Sequence, residues 1–209
     1  MVNSSVIYRY FPDFSEAQKA QFDALYNLFI DHNSRVNVIS RKDMDNFYIH
    51  HVLHSLALLK FADFRFIESI IDIGTGGGFP GIPLAIVFPE IEFHLVDSIG
   101  KKINVVKAVA ESIGLKNVTA EQIRVEQTNF QYDMAVARAV APTKELYDWM
   151  QRQWTGEPNF ALLKGGDLSE ELSEVSAVNK RLKIKSHAIS SVFDEPFFET
   201  KKVVTLKSR

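Results

Sequence analysis

Asp72-Ile73-Gly74-Thr75-Gly76-Gly77-Gly78-Phe79-Pro80-Gly81 is the stretch of this chain best suited to chemistry. Glycine permits positive φ and close backbone approach to a ligand, and a helix opening at such a turn adds unpaired N–H donors. Turns of this kind hold nucleotide-like molecules at the carboxyl end of a parallel strand. Gly76-x-Gly78-x-x-Gly81 matches the dinucleotide fingerprint, and Asp97, 21 residues after Gly76, stands where a ribose-binding acid is expected. Asp72 favours a different register. If Gly76 opened the turn, the Asp72 carboxylate would lie inside a buried strand, where an unpaired charge is costly. If Gly74 opens it, Asp72 lies at the strand end and can accept N–H donors from the loop. A nicotinamide site and a turn with no ligand are the alternatives.

Composition bounds the other chemistry. The chain has no cysteine, which excludes disulfides, thiolate-held zinc, iron–sulfur clusters and a cysteine nucleophile. His50 and His54 share a helical face at i, i+4. Position 51 is histidine where a zinc protease carries glutamate, so packing or RNA contact is the better reading, and no metal is expected. Lys and Arg total 24 against 26 Asp and Glu, a net charge of −2, so a nucleic acid must be met by local patches. Lys101, Lys102, Arg138, Lys144 and Lys164 fall at or after strand ends, near the expected cofactor mouth. Arg35 and Arg41 flank Asn37, and residues 179–209 carry eight basic side chains against three acidic ones. For that last run an ordinary solvated face is the alternative.

The elements that position these residues follow from periodicity and turn signals. A chain of 209 residues with 46% apolar content is one folded domain with room for a small extension. After a Ser15/Gln18 capping box, Phe22, Leu25, Phe29 and Ile30 recur at helical spacing up to Asn33. A second helix is expected from about Asp43, carrying Ile49, Val52, Leu53, Leu56 and Leu59. Strands at 70–73, 93–97, 118–121, 134–137 and 160–164 alternate with helices at 82–88, 101–112 and 143–154, the order of a parallel sheet covered on both faces. Residues 183–190 and 200–207 read as two more strands, too close for a crossover helix and hence antiparallel. The expected division is a helical extension, 1–66, on a Rossmann-like domain, 67–209, forming one structural unit. No apolar run approaches the ~18–20 residues of a membrane span. Met1 to Phe14 lacks the pattern of a signal peptide. A cytoplasmic monomer without membrane association is the expectation.

An α/β doubly wound sheet, mostly parallel and ending in a C-terminal antiparallel hairpin, is the class I S-adenosylmethionine-dependent methyltransferase arrangement. Asp-x-Gly-x-Gly with an acid at the next strand end is the methyltransferase form of the loop. The sequence resembles one family in particular. Gly74 through Ile86 (GTGGGFPGIPLAI) is similar to the cofactor loop of the bacterial small-subunit ribosomal guanine-N7 methyltransferases, also called glucose-inhibited division protein B. Asp97-Ser98-Ile99-Gly100-Lys101-Lys102, Arg124-Val125-Glu126, Ala137-Arg138-Ala139-Val140-Ala141 and Leu163-Lys164-Gly165-Gly166 resemble that family's later motifs in order and spacing. Asn37 to Ser40 and His51 to Leu56 match its N-terminal helices, with His54 where the family usually has aspartate.

The resemblance implies S-adenosylmethionine as methyl donor, no metal, and N7 of a guanosine in 16S ribosomal RNA of the small subunit as acceptor. It places Gly74, Gly76, Phe79, Val125, Glu126 and Arg138 at the cofactor, with Asp97 and Ser98 near its ribose. The residues are compatible with that chemistry. Guanine N7 carries a free lone pair, so its alkylation needs alignment and no general base. The Asn/Asp-Pro-Pro-aromatic run of amino-group methyltransferases is replaced by Ala137-Arg138-Ala139-Val140, and Arg138 offers a planar, permanent charge to orient cofactor or guanine. The competing readings are a small-molecule methyltransferase, an NAD-dependent oxidoreductase, and a non-catalytic RNA-binding protein with a retained pocket.

Overall fold

The computed structural model of the chain describes residues 2–33 and 36–208. Seven strands form one sheet: β1 Ser69–Ile73, β2 Glu92–Asp97, β3 Val118–Gln122, β4 Met134–Arg138, β5 Asn159–Gly165, β6 Leu182–Ala188 and β7 Lys201–Ser208. Their order is β3-β2-β1-β4-β5-β7-β6. The first five are parallel, and β7 lies antiparallel between β5 and β6. Every expected strand is present and the closing pair has the expected sense. The chain reverses its direction of travel across the sheet between β1 and β4, so the crevice at their carboxyl ends is the topological switch point where ligands bind in open α/β sheets.

Alternation along the strands builds two cores. Ile70, Leu95, Val136, Leu163 and Val203 face a layer made of α1 Ser5–Tyr10, α2 Glu16–Asn33, a helical run over 44–60 that includes α3 His54–Leu56, α4 Gly81–Val87 and α5 Gly100–Ser112. Ile71, Ile73, Val96, Ala137 and Leu162 face α6 Thr143–Trp149 and α7 Ser169–Val178. Phe22, Leu25, Phe29, Phe47, Leu53 and Leu56 from the first sixty residues are fully buried in the first core. At about 1.5–3 kcal/mol per fully buried side chain, these contacts bind the N-terminal helices firmly to the sheet. The capping box of α2 is formed, with Ser15 N–H donating to Gln18 Oε1 (2.9 Å) and Gln18 N–H to Ser15 Oγ (3.3 Å). The Gln18 amide also donates to the carbonyls of Ile86 and Val87, seating α2 on the end of α4.

Four elements differ from expectation. The run over 44–60 is not one regular helix: Met44–Asn46 and Ala57–Lys60 are 3₁₀ turns, and Tyr48–Leu53 is π-helical. The helix expected over 143–154 stops at Trp149, because Gln153 O accepts Tyr132 N–H (2.8 Å) and Thr155 N–H donates to Tyr132 O (3.1 Å). That pairing draws 153–155 alongside the entry to β4. Helices α1 and α7 were not anticipated. The first has six residues and the second fully buries only Val175, so neither shows a strong apolar stripe.

Candidate functional site

The glycine loop leaves β1 at Gly74, whose φ is +63°. Asp72, one residue inside the strand end, is fully buried. Its Oδ2 accepts the Thr75 hydroxyl (2.6 Å) and the Gly81 N–H (2.8 Å), so the carboxylate spans the loop from its start to the first turn of α4. Among the described residues, its Oδ1 has no hydrogen-bond partner. Burial pushes the Asp72 pKa up to about 7, against the pull of Thr75, the Gly81 N–H and the charge of Arg138. A carboxyl with a raised native pKa holds its proton more tightly when folded. Its contribution to stability is complete below the ordinary value near 4 and is lost as pH rises through about 7. The Asp72→Asn variant lacks this titration. The thermal midpoint of the wild type relative to that variant is therefore expected to fall between about pH 4 and 7, by roughly 2–4 °C per kcal/mol lost. A midpoint difference that stays constant with pH in scanning calorimetry would mean that Asp72 titrates normally.

Beside the loop, at the carboxyl ends of β1 and β2, lies a cleft of about 420 Å³ open to solvent. Gly74, Asp97, Ser98, Val125 and Glu126 all line it. So do Ile123, Arg124, Val140 and Trp149, which the sequence did not single out for this place. Asp97 Oδ2 accepts the Gly76 N–H (3.0 Å) and Oδ1 the Ile99 N–H (2.9 Å), and Lys102 Nζ stands 3.9 Å from Oδ2. An ionised carboxylate has about four acceptor sites, so both oxygens can accept further donors from the cleft. Gly76 thus adjoins the cleft through its N–H.

Phe79 and Arg138 sit behind the loop and are not among the residues lining this cleft. Phe79 is buried against Phe29, Phe47 and His51. The Arg138 guanidinium lies over the Phe79 ring, 5.2 Å from its centroid, and donates to the carbonyl of His50 at 3.1 Å. Burial lowers the Arg138 pKa to about 10, with Asp72 and Asp43 pulling the other way, so it is charged at neutral pH. The residue after it, Ala139, has φ +52°, a conformation costing of order 1–3 kcal/mol that persists where the surroundings fix it. The accepting carbonyl belongs to the π-helical turn, and such turns recur at functional sites.

The two histidines of that turn converge on one carboxylate, and His54, just after it, points elsewhere. His50 Nδ1 and His51 Nε2 both meet Asp43, at 2.5 and 2.7 Å. His54 packs edge-on to Phe197 and Phe198. Burial, then the charge of Arg138, lowers His51 to about 4 and His54 to about 3, so both are neutral at pH 7. Among the described residues, no group of three or more His, Asp or Glu side chains can hold a metal ion. Two lysines expected at the mouth are already engaged. Lys164 Nζ pairs with Glu171 (2.6 Å) and donates to Ala141 O (2.6 Å), while Lys144 pairs with Asp148 (2.6 Å). Arg41 is exposed, and Arg35 lies outside the described residues.

The loop closed by Asp72, the cleft lined by Asp97 and the arginine at the end of β4 all lie at the carboxyl ends of the central parallel strands. A family model described as GidB, rRNA small subunit methyltransferase G, matches residues 18–199. The chain belongs to this family. Ribosomal RNA small subunit methyltransferase G of Bacteroides thetaiotaomicron is 50% identical over 205 residues, covering 95% of this chain and 97% of the relative. The protein of the same name from Cytophaga hutchinsonii is 43% identical with the same coverage. Among solved structures, TrmN from Thermus thermophilus superposes with a TM-score of 0.59 at 17% identity, over 74% of this chain and 48% of that one. The plantazolicin methyltransferase BpumL, in complex with a triazolic desmethylPZN analog and SAH, gives 0.58 at 13% identity over 93% and 97%. These two likenesses establish the methyltransferase fold, and the GidB relatives supply the family. No helix among the described residues is long and apolar enough to cross a membrane.

Proposed function

We propose that this GidB-family chain methylates N7 of a guanosine in 16S ribosomal RNA, with S-adenosylmethionine as methyl donor. The observation that carries the reading is the convergence of Gly74, Asp97, Ser98, Val125 and Glu126 on one cleft at the topological switch point, in a chain whose relatives are small-subunit rRNA methyltransferases.

The residues fit such a donor. The cleft joins apolar walls, Ile123, Val125 and Val140, to the carboxylates of Asp97 and Glu126, a surface suited to a purine ring and a pair of ribose hydroxyls. A Cβ on Gly74 would stand 2.7 Å from Val140 Cγ2, so only glycine leaves this corner of the cleft as it is. When bound, S-adenosylmethionine supplies an electrophilic sulfonium methyl group. Asp97 would accept the ribose hydroxyls, Val125 would pack on the adenine, and Ser98 and Glu126 would close the rim. Gly76, through its N–H, fixes Asp97 for that task. Arg138, tied to His50 and Phe79, is the orienting group between the loop and the N-terminal helices. No proton has to be removed from guanine N7, which agrees with a site whose histidines 51 and 54 are buried and neutral.

The test is transfer of labelled methyl to unmethylated small ribosomal subunits and, in parallel, to naked 16S RNA, followed by nucleoside analysis. Label in 7-methylguanosine is expected. Label in any other nucleoside, or none on either substrate while the cofactor still binds, overturns the reading.

A further inference from the structure

The basic residues of the last thirty positions divide between the two ends of the sheet. Lys201 stands opposite Gly165 at the carboxyl end of β5, its ammonium over Phe197, on the side of the cofactor cleft. Lys183, Lys185 and Lys207 lie at the other end. They line a groove of about 740 Å³ between the β5–β7–β6 face and residues 61–63, together with His187, Asn159 and Phe61. Strands of this length, with three to four strand spacings between, put the groove roughly 20–30 Å from the cleft.

This arrangement is costly without a ligand. Lys183 and Lys207 are directly opposed in the β6–β7 register, and Lys185 faces Thr205 two residues along. Like charges directly opposite one another destabilise a sheet. The acid at the groove, Asp63, accepts three hydrogen bonds from Arg65, at 3.1, 2.8 and 2.7 Å, and Lys207 reaches it only through the weakest of the influences that lower its pKa. Among the described residues, no carboxylate lies within 4.0 Å of any of the three ammonium groups. Protection of an edge strand explains lysines on β6. It does not explain Lys207, because β7 is paired on both sides.

We propose that this groove is a docking surface for the phosphodiester backbone of RNA. A phosphate set between Lys183 and Lys207 would turn their repulsion into two charge-assisted contacts, with Asn159 and Thr205 as neighbouring donors. Phe61, stacked on His187 at 4.8 Å, forms one wall. Such contacts fix position and carry no base information, which suits a second anchor far from the reacting base. The proposal rests on small-subunit rRNA being the acceptor.

The experiment compares wild type with Lys183→Gln/Lys185→Gln/Lys207→Gln in equilibrium binding to small subunits and to naked 16S RNA across a salt series. A charge-matched control, Lys107→Gln/Lys116→Gln/Arg152→Gln, changes exposed residues elsewhere. The groove variant is expected to bind about 10-fold or more weakly near 0.1 M salt, with a log–log salt slope shallower by about 2–3. Cofactor affinity and kcat at saturating RNA should be unchanged, KM should rise, and the thermal midpoint should hold or increase. Binding within twofold of wild type with an unchanged slope overturns the proposal while leaving the acceptor assignment intact. Equal weakening in the control overturns it as a net-charge effect. Loss of binding to phosphatidylglycerol vesicles with RNA binding retained overturns it in favour of a membrane contact. A wild-type protein that binds no ribosomal RNA removes the acceptor assignment itself.

Discussion

Arg138→Ala is expected to lower methyl transfer by about 10²-fold or more, the cost of an orientation error of roughly 1 Å. The guanidinium joins three parts of the site: the end of β4, the His50 carbonyl on the π-helical turn, and the face of Phe79 beneath the loop. Alanine removes both contacts, to His50 and to Phe79, and so unlinks them from β4. It also removes the positive charge that pulls the Asp72 pKa down and those of His51 and His54 down. The Asp72 pKa should rise further and the two histidines should become easier to protonate. Arg138→Lys keeps a charge but loses the planar fork and the stack, so it should recover little of the rate. The decisive comparison is rate against stability. A folded Arg138→Ala protein with wild-type kcat and a lowered thermal midpoint would show that Arg138 only braces the core.

What made this arginine hard to place from sequence is distance along the chain. Its acceptor lies 88 residues upstream, in a segment whose apolar spacing reads as an ordinary helix. The π-helical turn there arises from tertiary demands, with Asp43 drawing His50 and His51 together and Arg138 taking the His50 carbonyl. By contrast, the span from Asp72 to Gly81 was legible because its contacts are local. A carboxylate at a strand end, a glycine turn and a helix start within ten residues leave few alternatives. The central parallel strands were legible because burial on both faces makes each a short apolar run, whereas edge strand β3, exposed at Thr119, Glu121 and Gln122, left a weaker signal. The closing hairpin was legible because its two strands are too near for a crossover. Helix α7 was not legible because only Val175 is fully buried, so no apolar stripe marks it even though its acidic first turn suits a helix start. Its Glu171 nevertheless decides what Lys164 can do, holding that lysine away from a surface role.

The contact between Gly81 and Asp72 gives the largest expected effect on stability. A Cβ at position 81 would stand 2.7 Å from Leu95 Cγ, 2.9 Å from Leu95 Cδ1 and 2.8 Å from Asp72 Oδ2, all inside ordinary van der Waals separation of about 3.5–4.0 Å. Leu95 and Asp72 are both fully buried, so neither can swing aside. Gly81→Ala is therefore expected to destabilise the fold by about 3 kcal/mol. It should also weaken cofactor binding, because α4 must move away from β1 and stretch the Gly81 N–H bond to Asp72. Leu95→Ala makes room at its own cost of about 2–5 kcal/mol. The double variant should be more stable than the sum of the two by at least about 1 kcal/mol, the signature of a shared clash. Gly76→Ala separates packing from backbone strain. Its Cβ would find its nearest neighbour at 4.0 Å, but at φ +59°, so a loss of only about 1–2 kcal/mol is expected. Denaturant unfolding of the four variants measures all of these terms. If Gly81→Ala unfolds at the wild-type midpoint, or the double variant is simply additive, then α4 is not pressed against β1 and β2 as described. The loop would then owe its shape to its glycines alone, not to the buried carboxylate that closes it.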